Sequence, residues 1–209
     1  MSESADRAKE LYTKLHQGSS SVFAGKNFLT SLNSIRALSI HKPCGRVLDF
    51  GCGKGWQYDL TEYKAAGVVY PTLAEAIAAT EVVGYDPCVP KFATRPTGKF
   101  QGIIAVDVLN SIPLPDLANE VEQLFRQLSN TGWLFVRATL ADSKKAINDP
   151  YWQEFGRTVA DYLQACAPPD ENQSVVIELQ TSHTGRQDWC TWYWNYAEQD
   201  WTFSLGTYA

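Results

Sequence analysis

The 209-residue chain has the length of one globular domain with a single hydrophobic core. Hydrophobic residues make up 44% and charged residues 20%, and the formal net charge of -5 argues against a general attraction to nucleic acid. No apolar run approaches the roughly 20 residues that a membrane-spanning helix needs. The polar N-terminus is unlike a signal peptide, and the five cysteines form no C-x-x-C pair. We therefore predict a cytoplasmic protein without a membrane segment, a disulfide framework or a metal site.

Two helices are predicted ahead of the first strand. Apolar residues recur at helical spacing over residues 4–16, and again from about Asn27 to Ile40. A short run of Gly and Ser at 17–21 separates the two segments. We expect residues 1–43 to form a helical region ahead of an α/β core at 44–209, with both parts in one domain at 1–209.

The most informative stretch is a glycine-rich segment at residues 46–55. Its apolar first half ends in Asp49, and glycines follow at alternate positions: Gly51, Gly53 and Gly55. This pattern predicts a buried strand that breaks into a turn and then enters a helix. Glycine reaches backbone angles closed to other residues and lets a ligand approach the main chain. The free amides at the start of the expected helix would favour a ligand with negative or polar groups.

The spacing of this motif separates two classes of ligand. The dinucleotide fingerprint G-x-G-x-x-G would need a glycine where Trp56 stands, and the P-loop pattern also fails. The motif D-x-G-x-G-x-G resembles that of the class I S-adenosylmethionine-dependent methyltransferases. The alternative is an ordinary strand-turn-helix unit with incidental glycines. The resemblance implies S-adenosylmethionine as cofactor and S-adenosylhomocysteine as product, bound by Asp49, Phe50, Gly51, Cys52, Gly53, Lys54 and Gly55.

A second strand is predicted from Glu81 to Tyr85, and it ends in Asp86 and Pro87. Ligands of α/β sheets bind outside the carboxyl ends of the strands. The resemblance implies that Asp86, with Pro87 beside it, binds the ribose hydroxyls; the alternative is an acid that caps a turn. Three prolines and no apolar periodicity at residues 87–100 predict a loop where the family has its third strand. The residue that contacts adenine therefore stays unassigned.

The apolar run from Gln101 to Asp107 predicts a buried parallel strand. The resemblance implies that Asp107, Val108 and Leu109 flank the adenine and methionine parts of the cofactor. Many relatives carry Glu-His where this chain has Asn110-Ser111. We therefore assign no catalytic base.

The C-terminal half predicts a further helix and strand and then a hairpin. Helices are expected at Pro115 to Leu128 and Tyr151 to Cys166, with a turn at 129–132. Strands are expected at Trp133 to Thr139, Ser174 to Gln180 and Trp189 to Tyr196. An antiparallel hairpin at the end of a parallel sheet is typical of the methyltransferases that the chain resembles. The predicted fold is thus α/β: a doubly wound, mostly parallel, Rossmann-like sheet with a C-terminal antiparallel hairpin, a reduced third-strand region and an N-terminal helical lid.

The resemblance covers residues 44–205 and is nearest to short methyltransferases of phage and bacterial genomes. Motifs of nucleic-acid methyltransferases are absent at 107–110, which favours a small-molecule or protein acceptor and makes nucleic acid unlikely. Aromatic residues at 189–203 line the acceptor or pack on the sheet. Two alternatives stay open: a catalytically inactive protein or partner subunit that binds the cofactor, and a nicotinamide-dependent oxidoreductase. The sequence does not set the oligomeric state.

Overall fold

A computed structural model describes residues 28–109, 112, 114–140, 173–183, 186–195 and 200–207. The predicted helices at 4–16 and 151–166 lie outside these ranges, as do Asn110 and Ser111. Within them, no helix has both the length and the hydropathy needed to cross a membrane.

The described residues include nine strands, three α-helices and two short 3-10 turns, and residues 28–30 are also helical. The strands are β1 (Arg46–Phe50), β2 (Tyr63–Ala65), β3 (Val68–Tyr70), β4 (Glu81–Tyr85), β5 (Phe100–Val106), β6 (Leu128–Leu140), β7 (Ser174–His183), β8 (Arg186–Asn195) and β9 (Asp200–Thr207). The helices are α1 (Leu32–Ser39), α2 (Leu73–Ala76) and α3 (Leu114–Gln127). The 3-10 turns lie at Trp56–Tyr58 and Pro90–Phe92.

Seven of these strands form one sheet in the order β4-β1-β5-β6-β7-β8-β9. The first five are parallel to their neighbours, and β8 and β9 continue the sheet in antiparallel fashion. The mostly parallel sheet and its antiparallel hairpin are therefore confirmed, and β9 extends the hairpin beyond the last predicted strand. Because β1 pairs with both β4 and β5, the carboxyl ends of these three strands meet at the point where the strand order reverses, which is where ligands bind in such sheets.

The central strand β1 is buried on both faces of the sheet. Side chains alternate between faces along a strand, so Leu48 packs in the core formed with α3, whereas Val47 packs in the core formed with α1 and α2. Asp49 lies on the same face as Val47 and is 2% exposed. The sheet thus carries a carboxylate at a position where its neighbours are apolar.

The glycine-rich segment does not enter a regular helix, so that prediction is wrong, whereas the short helix or irregular turn that residues 56–67 also allow is what forms. Gly55 has a left-handed backbone (φ 72°) and opens a single 3-10 turn, which is followed by the hairpin of β2 and β3. Tyr63 and Ala65 alternate inward along β2, which is the two-residue period of a strand. Thr72 then caps the short helix α2 by accepting a hydrogen bond from the backbone N–H of Glu75 at 3.2 Å.

The turn expected at 129–132 is also wrong, because these residues begin β6. The start of β6 pairs with β5 through an irregular register, with Leu128 opposite Phe100 and Trp133 opposite Gly102. The side chain of Gln101 ties this irregular part to β5, since its Nε2 donates to the carbonyl of Thr131 at 2.8 Å.

No strand forms between residues 86 and 99, which confirms the reduced third-strand region and leaves β4 at the edge of the sheet. Arg95 of this loop covers part of the core beside that edge. Its guanidinium lies 5.7 Å from the ring centroid of Phe50 and 5.5 Å from that of Tyr85. It also forms an ion pair with Glu120 of α3 at 2.7 Å. One side chain of the loop thereby joins β1, β4 and α3.

Replacing Arg95 with Ala should lower the free energy of unfolding by about 1–3 kcal/mol, because a partly desolvated cation over two rings and its ion pair are lost together. Arg126→Ala is the matched control, since its ion pair with Glu122 is largely exposed and should contribute less than about 0.5 kcal/mol. Denaturant unfolding of both variants measures the difference. Equal losses in the two variants would show that Arg95 is an ordinary surface residue.

Candidate functional site

The carboxyl end of β1 turns through three glycines in left-handed conformations. Gly51, Gly53 and Gly55 have φ angles of 77°, 57° and 72°. A Cβ on Gly51 would lie 2.2 Å from the side chain of Val108, and one on Gly55 would lie 2.5 Å from the ring of Phe92. The expected need for glycine angles is confirmed. The close neighbours at Gly51 and Gly55 are, however, side chains of this protein.

Asp49 lies beneath this loop and is held by the 3-10 turn that follows it. Its Oδ2 accepts hydrogen bonds from Gln57 Nε2 and from the Tyr58 hydroxyl, both at 2.7 Å. Gln57 Nε2 also donates to the carbonyl of Cys52 at 3.1 Å. Among the described residues, no ion pair involves Asp49. The carboxylate is therefore buried with neutral donors alone.

Burial raises the pKa of Asp49 to about 6. The hydrogen bonds from Tyr58 and Gln57 act in the opposite direction, and the nearby carboxylate of Asp86 raises the pKa further. Burial also raises the pKa of the Cys52 thiol, and Asp49 adds to that shift. Cys52 is thus a small residue that fits the turn, and its environment disfavours a reactive thiolate.

Asp86 follows β4 and is 4% exposed. Its Oδ2 accepts a hydrogen bond from the backbone N–H of Gly53 at 3.0 Å, and its Oδ1 accepts one from that of Cys88 at 2.9 Å. The carboxylate therefore caps its own turn and also fixes the glycine-rich loop. A carboxylate oxygen accepts hydrogen bonds from hydroxyl groups, so this group has the chemistry that a ribose hydroxyl requires. The ribose-binding role of Asp86 stays a prediction.

Asp107 follows β5 on the other side of β1 and is half-buried. It has a left-handed backbone (φ 53°), and its N–H donates to the carbonyl of Arg137 at 2.8 Å. A non-glycine residue in this conformation is strained, and such strain concentrates at functional sites. Three acids therefore lie at or just after the carboxyl ends of three adjacent parallel strands: Asp49, Asp86 and Asp107.

The other predicted ligand-binding residues divide by exposure. Phe50 packs into the core against Tyr85, with ring centroids 5.6 Å apart, and Leu109 is 1% exposed. Their side chains point away from the surface, so only the main chain of either residue is available to a ligand. Lys54 and Pro87 are exposed beside the loop.

Three residues near the loop were not predicted from the sequence: Gln57, Tyr58 and Phe92. Tyr58 meets the edge of the Phe92 ring, with centroids 5.8 Å apart, and Phe92 accepts the N–H of Asp86 on its carbonyl at 3.1 Å. One signal did exist for Gln57 and Tyr58. An acid within a buried strand needs donors, and these polar side chains come soon after the turn.

The residues present fit the cofactor that the motif implies. S-adenosylmethionine carries a sulfonium, an ammonium group and ribose hydroxyls. A buried carboxylate that has no cationic partner among the residues the structure describes suits a positive group, and the Asp86 carboxylate near it suits hydroxyls.

Replacing Asp49 with Asn should stabilise the protein above pH 6. The folded-state pKa of about 6 exceeds the ordinary value of 3.8, so the contribution of Asp49 to stability is highest below pH 4 and falls as the pH rises to 6. The loss reaches roughly 3 kcal/mol. Denaturant unfolding from pH 4 to 8 should show the variant gaining on the wild type over this window. Asp59→Asn, at an exposed position, is the control. An Asp49→Asn variant whose free energy of unfolding differs from that of the wild type by the same amount at every pH would contradict the raised pKa of Asp49.

Comparison with known proteins gives the family. The family model described as "Methyltransferase domain" matches residues 30–171, which is well over half of the chain. No curated protein matches the sequence.

A fold comparison finds the structure of S-adenosylmethionine-bound CalS10, an amino pentose methyltransferase from Micromonospora echinaspora involved in calicheamicin biosynthesis. The identity is 10%, the match covers 98% of this chain and 79% of that chain, and the TM-score is 0.27. At that score the likeness carries no weight for this protein. The family match stands on the sequence, and the chain belongs to the methyltransferase domain family, as an S-adenosylmethionine-dependent methyltransferase.

Proposed function

We propose that the protein transfers the methyl group of S-adenosylmethionine to a small-molecule or protein acceptor, and that Asp49 is central to cofactor binding. The observation that carries the proposal is the burial of this carboxylate beside a glycine-rich loop, with neutral donors and, within the described part of the chain, no cationic partner. An uncompensated buried charge is costly. A cationic ligand removes that cost only when it is bound, so the arrangement favours a positively charged cofactor.

The cofactor supplies an activated methyl group when it is bound, and the protein has to orient the reactants and exclude water. In this proposal Asp86 holds the loop through Gly53 and accepts the ribose hydroxyls. Asp107, which follows the next strand, flanks the adenine and methionine parts of the cofactor. No general base is required when the acceptor is an amine or phenol that loses its proton readily.

The composition and the segment after β5 support the choice of acceptor. The net charge of -5 gives no general field that would attract nucleic acid. Residues 107–110 also lack the motifs of exocyclic-amine and cytosine-carbon methyltransferases. A cytoplasmic location, a single-domain organisation with a lid at 1–43, and a phage-type relationship stay predictions of the sequence.

Calorimetric titration of the purified protein tests the cofactor assignment. S-adenosylmethionine and S-adenosylhomocysteine should bind with micromolar affinity, and reduced nicotinamide dinucleotide should not bind. Binding of the nicotinamide dinucleotide alone would favour the oxidoreductase alternative.

Formation of S-adenosylhomocysteine tests turnover and the acceptor class. The protein should form this product with a low-molecular-weight extract or a protein fraction, and it should not do so with purified DNA or RNA. Cofactor binding without turnover in every fraction would favour the inactive alternative. Turnover with nucleic acid alone would contradict the proposed acceptor class.

Replacing Asp86 with Ala should weaken cofactor binding by about 1–3 kcal/mol, because hydrogen bonds to a charged acceptor are lost. The variant also frees the amides of Gly53 and Cys88, so its thermal unfolding has to be measured alongside calorimetry. Asp59→Ala, at an exposed position on the neighbouring turn, is the matched control. Unchanged affinity in a folded Asp86→Ala variant would remove Asp86 from the cofactor site.

A further inference from the structure

The 3-10 turn after the glycine-rich loop places two neutral donors on one oxygen of Asp49. Gln57 and Tyr58 are consecutive residues, and each donates to Oδ2 at 2.7 Å. Gln57 is 2% exposed, and its main-chain carbonyl accepts a hydrogen bond from the Tyr63 hydroxyl at 2.7 Å. The turn is therefore fixed from the hairpin as well as from the loop.

The edge strand β4 leaves space for the Tyr58 hydroxyl at Gly84, which has no side chain. Gly84 lies opposite Asp49 in the register of β1 and β4. A Cβ at Gly84 would lie 2.7 Å from the Tyr58 hydroxyl oxygen and 2.9 Å from Cys52 Sγ. Gly84 does not have a left-handed backbone, so space and not conformation requires glycine here. Strand β4, the glycine-rich loop and the 3-10 turn therefore all pack around the hydrogen bond from Tyr58 to Asp49.

The titratable groups that act on Asp49 come from three elements: Tyr58 on the turn, Cys52 in the loop and Asp86 after β4. Burial raises the pKa of the Tyr58 phenol, so this hydroxyl stays protonated and able to donate at neutral and mildly acidic pH. Burial raises the pKa of the Cys52 thiol in the same way. Asp86 opposes the ionised form of Asp49 by like-charge repulsion. The donors on the turn therefore supply the stabilisation that opposes burial.

We propose that Tyr58 and Gln57 are positioning residues that keep the Asp49 carboxylate oriented and ionised for the cationic end of the cofactor. The inference rests on the proposed function, because it gives the charged carboxylate a role in cofactor binding. It goes beyond that function by assigning the control of cofactor affinity to a turn that does not belong to the glycine-rich motif.

The test is the pH dependence of S-adenosylhomocysteine binding, measured by calorimetry from pH 5.5 to 8. Tyr58→Phe should move the acid limb of the binding profile upward by about one pH unit, which is about tenfold in affinity at the acid end. The affinities of the variant and the wild type should converge by pH 8, where Asp49 is ionised in both. A purely structural loss would weaken binding equally at every pH.

Tyr63→Phe is the matched control, because it also removes a buried tyrosine hydroxyl next to Gln57 but one that bonds to a main-chain carbonyl. Its binding profile should keep the wild-type midpoint. Gly84→Ala should reproduce the shift of Tyr58→Phe, because the added methyl group on β4 displaces the Tyr58 hydroxyl from Asp49. Gln57→Met should shift the binding profile in the same direction. Superimposable midpoints for Tyr58→Phe and Tyr63→Phe would overturn the proposal.

A second readout needs no cofactor. The contribution of Asp49 to the free energy of unfolding, measured against Asp49→Asn in each background, should stop falling near pH 6 in otherwise wild-type protein and continue to fall to about pH 7 in Tyr58→Phe. Failure of the wild type to bind any sulfur nucleotide would contradict the proposed function. A shift in the unfolding profile without a shift in binding would overturn the present inference alone.

Discussion

The buried Asp49 carboxylate, held by Gln57 and Tyr58, is the interaction around which this site is built. β1 lies between two cores, and its other inward residues are apolar. An acid there costs stability at neutral pH, since burial raises its pKa to about 6. Two neutral donors reduce that cost without removing it. Buried acids with raised pKa values are characteristic of functional sites, where stability is given up for activity.

Strand β4 and the segment that follows it support the hydrogen bonds and the loop around this carboxylate. β4 contributes Gly84, which leaves room for the Tyr58 hydroxyl, and Asp86, which holds the loop through Gly53. The segment after Asp86 is short, and Phe92 and Arg95 from it cover the loop and the edge of the core. The reduced third-strand region therefore covers the core beside the edge strand β4 and supports the glycine-rich loop.

The sequence predicted the parts of the fold that depend on local pattern. The apolar run of β5 and the amphipathic spacing of α3 each mark a single element, and the acid-glycine spacing marks the loop between β1 and the turn. The regular helix expected after Gly55 is replaced by a 3-10 turn in which Gln57 and Tyr58 donate to Asp49, and these tertiary contacts are not encoded by local periodicity. The start of β6 was missed for a similar reason, since a register irregularity with β5 fixes it.

The site shows the same division between local and long-range information. Asp49, Asp86 and Asp107 are visible in the sequence because each lies at or just after the end of a predicted strand. The inward packing of Phe50 follows from the face of the sheet that it occupies, and Leu109, just after β5, packs into the same core. A motif encodes neither of these contacts. Tyr58 was missed because its partner lies nine residues back and the space that it needs comes from Gly84 on another strand.

Proton release on cofactor binding shows whether the cofactor requires the ionised form of Asp49. Calorimetric titration with S-adenosylmethionine at pH 6, in buffers of different ionisation enthalpy, counts the protons exchanged. If the cofactor requires ionised Asp49, wild-type protein should release about half a proton more per site than Asp49→Asn, because half of the free carboxyls are protonated near their pKa. Equal proton counts for the two proteins would contradict the account, since cofactor binding would then be indifferent to the charge of Asp49.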